Sequence, residues 1–141
     1  MHRELLVLVL AVVIQLALAE LSLEEIKKAN EILRKHCQPE SGVSDDILNG
    51  AMSGNFPEDR GLKCYLACMM RLAHVLKNGQ YRSELAVRLA DDVLPSSIKD
   101  RARVVVEKCK DEGAGLADEC EMAFAIKKCS YAADPEIFYV Q

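Results

Sequence analysis

Four absences narrow this 141-residue chain before any motif is read. It has no basic cluster: 18 Lys and Arg stand against 22 Asp and Glu, a formal charge of -4. It therefore lacks the electrostatic footprint that nucleic acid or an anionic membrane surface requires. It has neither Cys-x2-Cys nor His-x3-His, the paired spacings of zinc sites, so no metal and no cofactor are expected. It has no Gly-x-Ser-x-Gly elbow, and no catalytic residues or enzymatic activity are expected. No segment reads as a strand, and the fold class expected is all-α.

One long hydrophobic run is present, and it lies at the start. Leu5 to Leu18 is apolar apart from Gln15, is preceded by Arg3, and leads into Ala17-Leu18-Ala19, the small-x-small form of a signal peptidase site. Residues 1–19 are expected to be a cleaved signal peptide and residues 20–141 a single helical domain. A membrane anchor needs roughly 20 apolar residues; this run is shorter, and Glu20, Glu24 and Glu25 follow it closely. The expected destination is extracellular, without stable membrane insertion. Cleavage removes Arg3 and Glu4 together, so the charge stays at -4 and the expected partners are neutral.

Beyond the leader, apolar residues recur at helical spacing. Leu23, Ile26, Asn30, Leu33 and Cys37 share a face, Ser22 and Glu25 have capping-box spacing, and Pro39 should stop this helix. Ser44 can cap a short helix through Ile47 and Leu48, and "GNFPED" marks a turn. A third helix should start near Glu58 or Arg60 and end at Asn78-Gly79. A fourth spans Ser83 to Val93, closed by Pro95; Ser96 and Ser97 offer caps for a fifth through Cys109, which Gly113 and Gly115 break. The last runs from about Leu116 to Ala132, and after it Pro135 should extend the tail "DPEIFYVQ".

All six cysteines follow the leader, and an even number in a small secreted chain reads as a disulfide framework. Spacing alone leaves 15 connectivities open. At about 100° per residue, Cys64 and Cys68 face one side of the third helix, about 40° apart, whereas Cys120 and Cys129 lie about 180° apart on the last. These two helices should be interior pillars. The other side of the third carries leucine, methionine and alanine, a lining that suits filled core and irregular cavity alike.

The cysteine gaps are 26, 3, 40, 10 and 8 residues. With "LKCYLAC" at 62–68, "CEMAFAIKKC" at 120–129 and "ADPEIFYV" at 133–140, this pattern resembles the six-cysteine insect odorant-binding proteins, general and pheromone type, in dipteran-like forms with a folded-in tail. The resemblance implies the pairs Cys37–Cys68, Cys64–Cys120 and Cys109–Cys129. It implies a compact bundle of about six helices around an apolar cavity, and a carrier that takes small hydrophobic odorants or pheromones through aqueous lymph toward olfactory receptors. Homodimer formation is left open.

Carried onto this chain, the resemblance places Val87, Ala90, Leu94 and Ile98 on one cavity wall and Met69, Leu72, Ala73 and Leu76 on a second. Val105, Met122, Phe124 and Ala125 would surround the rest, with Phe138, Tyr139 and Val140 closing the opening. Ala125, where relatives carry larger aromatics, implies a wider or longer pocket. His36 and His74, or Asp134 and Glu136 at the tail, are candidates for acid-triggered release. The competing readings are a secreted six-cysteine signalling or saposin-like protein and a non-olfactory carrier of hydrophobic ligands.

Overall fold

In the structure, a computed structural model that describes residues 1–17 and 21–138, eight helices and one minimal hairpin follow one another along the chain. They are α1 (His2–Ala17), α2 (Leu23–Ser41), α3 (Asp45–Met52), α4 (Arg60–Leu72), β1 (Leu76–Lys77), β2 (Gln80–Tyr81), α5 (Ser83–Val93), α6 (Ser96–Cys109), α7 (Glu119–Ala133) and α8 (Pro135–Phe138). The apolar side chains of α1 from Leu5 to Ile14 are all exposed. Among the described residues, no helix is long and apolar enough to cross a membrane.

The helices begin where the sequence supplies acceptors for their first amides. At α2, Ser22 Oγ accepts from the Glu25 amide while the Glu25 carboxylate accepts from the Ser22 amide at 2.7 Å, so two orphan donors are satisfied reciprocally. Ser44, Asp59 and Asp118 accept from first-turn amides of α3, α4 and α7, without the reciprocal bond. At α6, however, Pro95 is the cap residue and neither Ser96 nor Ser97 makes a capping bond. Proline's fixed φ suits a helix entrance and its missing donor is not needed there.

Three chain breaks differ from the sequence reading. Pro39 does not stop α2, which continues to Ser41 and ends with the Gly42 amide donating to Gln38 O at 2.9 Å. A proline in the last turn removes one helical bond and crowds the carbonyl four residues back, but it leaves the helix only one further pair of residues to hold. Here Gln38 is held from outside, accepting from Arg34 Nε at 3.1 Å and donating to Asp45 at 2.8 Å, and Cys37 is locked by its disulfide. The third helix ends six residues before Asn78-Gly79, because His74 takes a left-handed φ of 60°. Val75 N then donates to Met70 O and His74 N to Arg71 O, at 3.0 and 2.9 Å, the six-to-one and five-to-two bonds of a Schellman ending. Asn78 and Gly79, with φ of 53° and 71°, turn the hairpin that pairs Leu76 with Tyr81 and Lys77 with Gln80, the Asn-Gly signature of a tight β-turn. The tail is not extended: Pro135 opens α8, and Asp134 Oδ1 accepts from the Glu136 and Ile137 amides.

Disulfides join Cys37 to Cys68, Cys64 to Cys120 and Cys109 to Cys129, with Cα separations of 5.7, 4.5 and 5.7 Å. This is the pairing the resemblance implies. It ties α2 to α4, α4 to the start of α7, and α6 to its far side. α7 consequently runs through the middle, packed most extensively on α4, with Met122, Ala123, Phe124 and Ile126 all buried. One core cluster lies between α3, α4, β1 and α7; a second gathers Ile26, Ala90, Leu94, Ala102, Val105 and Ile137 from α2, α5, α6 and α8.

Candidate functional site

Between α2, α4, α5 and α7 the packing leaves a cavity of about 240 Å³. Each wall follows from helix periodicity. α2 contributes Ile26, Ala29, Asn30 and Leu33, and α5 contributes Ala86, Leu89, Ala90, Val93 and Leu94, both runs at i, i+3, i+4 and i+7 spacing. α4 supplies Met69, Met70 and Ala73 at its C-terminal end, where the Schellman turn brings Val75 round beside them, and the hairpin adds Tyr81. Leu21 and Leu89, both substantially exposed, mark where the cavity meets solvent. Alanines at 29, 73, 86 and 90 leave room between the walls, and the Cys37–Cys68 and Cys64–Cys120 bridges hold three of those walls, α2, α4 and α7, in register.

The back of the cavity is α7, which presents Ile126, Lys127 and Ser130. Lys127 is only 9% exposed, and among the described residues it makes no hydrogen bond or ion pair. Burial alone pushes its ammonium down to about 8 from the ordinary 10.5. Ser130 Oγ donates to Ile126 O at 2.9 Å. Burial pushes the Tyr81 phenol up to about 12, with Glu84 adding to it. The contrast with the other buried lysine is direct. Lys63 donates to Glu58 and, at 2.9 and 3.0 Å, to Glu121, and lies 5.0 Å from the Phe124 ring centroid. Its pKa is raised, first by Glu58 and then by Glu121.

Of the residues implied at the sequence level, Met69, Ala73, Ala90 and Leu94 meet at this cavity. The others lie elsewhere, for reasons of packing. Leu72 is 38% exposed at the end of α4, and Leu76 is buried beneath the hairpin in the first core cluster. Val87 falls just outside the lining arc of α5, about 100° round from Ala86. Ile98 and Val105 belong to the second core cluster, because α6 stands behind α5 and sends no side chain into the cavity. Met122 is core and borders a separate surface hollow near Gly113. Phe124 and Ala125 leave α7 on other sides from Ile126 and Ser130, so Ala125 does not widen this cavity. Phe138 is buried edge-on against Phe56 and Tyr131, with centroids 5.6 and 5.4 Å away, rather than closing an opening. Tyr139 and Val140 lie outside the described residues.

The α2 wall, Tyr81, Lys127 and Ser130 were not singled out from sequence as lining. Nothing in the letters marked Lys127: Lys127 and Lys128 point about 100° apart, and that spacing does not say which of them turns inward. None of the release candidates lines the cavity. His36 is exposed beside Glu40, 3.4 Å away, and His74 is exposed at its turn. Arg101 clasps Asp134 through two bonds of 2.9 and 2.8 Å and Glu136 at 2.8 Å. The one grouping of metal-type ligands among the described residues is His36, Glu40 and Cys68, but Cys68 is bonded to Cys37 and offers no thiolate.

Comparison with known proteins places this geometry. Residues 19–133 match the model of the PBP/GOBP family. General odorant-binding protein 72 of Anopheles gambiae is 28% identical over 116 residues, covering 82% of this chain and 96% of that protein. Among solved structures, odorant binding protein 4 of Chrysopa pallens aligns with a TM-score of 0.78 at 27% identity, covering 86% of this chain and 99% of that one. Odorant binding protein 5 of Apis mellifera aligns with a TM-score of 0.77 at 25% identity, over 84% and 96%.

Proposed function

The chain belongs to the PBP/GOBP family of insect odorant-binding proteins, carriers of small hydrophobic ligands, and on that footing we propose that it carries odorants or pheromones in the cavity between α2, α4, α5 and α7. The reading includes secretion after loss of residues 1–19, so that residues 20–141 work in an aqueous lymph and deliver cargo toward olfactory receptors. The observation that carries it is the cavity itself, walled by four helices and lined almost wholly by apolar side chains.

The energetics fit transport. At water's share of about 30 Å³ per group, a volume of about 240 Å³ holds about eight such groups, which suits a cargo of about eight to ten heavy atoms. Its transfer from water contributes about 25 cal/mol for each Å² buried. At efficiencies between the small-ligand and drug-sized limits, such a molecule gains about 6 to 8 kcal/mol, a micromolar affinity. That holds cargo through diffusion and still lets it leave.

Displacement of a hydrophobic fluorescent probe from the secreted, oxidised protein by alcohols and esters of graded length tests this. Saturable displacement with an optimum near eight to ten heavy atoms is expected, weakened at least tenfold by Ala86→Phe, which fills the space. Failure of the folded protein to take up probe or cargo would sink the reading.

A further inference from the structure

We propose that Lys127 makes this cavity a receptor for a carboxylate-headed cargo, a medium-chain organic acid whose tail fills the apolar space and whose head pairs with the buried ammonium. The proposal rests on the carrier reading and adds the chemical class of the ligand.

Three observations converge. Lys127 lines the cavity while nine-tenths buried, and no acceptor among the described residues serves it. No charged side chain acts on it either, since burial is the sole influence on its proton. Among the described residues none of the other polar groups of the wall, Asn30, Tyr81 and Ser130, bonds to Lys127. The Ser130 hydroxyl hydrogen is already given to Ile126 O, and Tyr81 brings a second donor, a phenol without an acceptor among the described residues.

A buried cation left alone is strongly unfavourable, whereas a buried cation with a well-placed anion is not. Elsewhere in this fold the rule is obeyed within the chain: Lys63, equally buried, has two carboxylates. Lys127 has none among the described residues, and it faces an apolar cavity that meets solvent at Leu21 and Leu89, where a partner from outside can sit. A carboxylate offers two oxygens and about four acceptor positions. It can therefore take a charge-assisted bond from Lys127 and leave capacity for another donor such as Tyr81. An alcohol or ester of the same length fills the same volume but does not neutralise the charge.

The test uses four ligands of one chain length, an acid, its methyl ester, the alcohol and the aldehyde, measured by probe displacement at neutral pH. The proteins are the secreted wild type and Lys127→Met, which keeps the length and apolar stem. In wild type the acid is expected to bind at least tenfold tighter than the ester or alcohol. In Lys127→Met the acid should lose that advantage while the alcohol binds as well or better. Equal affinity of acid, ester and alcohol in wild type overturns the proposal without any variant. It leaves the carrier reading standing, whereas binding of none of the four removes both. An aldehyde adduct trapped at Lys127 by borohydride, with no preference for the acid, also overturns it in favour of imine chemistry.

Discussion

Replacing Lys127 by methionine should make the ligand-free protein more stable, because the native fold holds a charge that it does not solvate. The ammonium is depressed from 10.5 to about 8 by burial. At about 1.36 kcal/mol per pKa unit, keeping it protonated inside the fold costs about 3 kcal/mol. The sign follows from proton counting. Between about 8 and 10.5 the unfolded chain binds more protons at this site than the native one, so stability rises with pH through that window. Below about 8 both states are protonated and the full cost is present. Above about 10.5 both are neutral and it is gone.

Lys127→Met should therefore exceed wild type by about 3 kcal/mol at pH 7, with the gap closing by a similar amount by pH 11. Denaturant unfolding of both proteins, disulfides intact, at pH 6, 7, 9 and 11 measures it. The other titrating groups cancel in the difference. At a few degrees per kcal/mol, the thermal midpoint at pH 7 should rise by on the order of 10 °C. A variant no more stable than wild type at pH 7, or a gap independent of pH, would refute the reasoning and mean that Lys127 is solvated or paired in the native protein.

The remaining expectations concern the scaffold. By loop length, removing Cys64–Cys120 (separation 56) by paired serine substitution should cost about 4 kcal/mol, and removing Cys109–Cys129 (separation 20) about 3; the order of urea midpoints reads this, and a reversed order would contradict it. Gly54→Ala should destabilise by roughly 1 to 3 kcal/mol, since φ is 92° and an added Cβ would lie 2.6 Å from Tyr131 Cε1. Loss of near-UV tyrosine ellipticity should accompany it. Asp118 is depressed to about 2, first by Arg60 and then by the Glu121 and Cys120 amides. Its contribution is thus fully present above about 4 and lost as pH falls toward 2. Asp118→Asn, which can still cap α7, should flatten the thermal midpoint over that acid window.

Much of the fold was legible because its signals are local. Ser83–Val93 is bounded by a helix-breaking Pro95, and Ser22-x-x-Glu25 fixes the start of α2. Errors arose where a common residue does an uncommon job. His74 occupies the left-handed position that glycine usually takes, so nothing in the letters announced the end of α4. Pro135 opens α8, where its missing amide is not needed, whereas Pro39 costs α2 one bond in its last turn; both read as breaks instead. The site was half legible. Periodicity identified the apolar faces of α2 and α4, and the resemblance supplied Ala90 and Leu94 on the α5 side, but periodicity does not say whether a face meets a neighbour or a void; that depends on how the disulfides set the helices and where alanines leave room between them. Hence Leu76 and Val105 proved to be core, while Ile26 and Leu33 line the cavity.

α7 is where scaffold and site coincide. Cys120 and Cys129, on opposite sides, fix its position and its rotation about its own axis. With rotation fixed, position 127 has no solvent-facing alternative, and Lys128 takes the exposed side instead, 5.8 Å from the Phe124 ring centroid. A surface lysine can snorkel when its helix turns slightly; this one is prevented by two covalent links. The bridges that stabilise the bundle thus also hold a cation, without a partner among the described residues, against an apolar space, a stored cost that an anionic molecule entering that space can offset. A leucine at 127 would give a firmer protein with a less selective cavity, so the lysine is better understood through the cargo than through the fold.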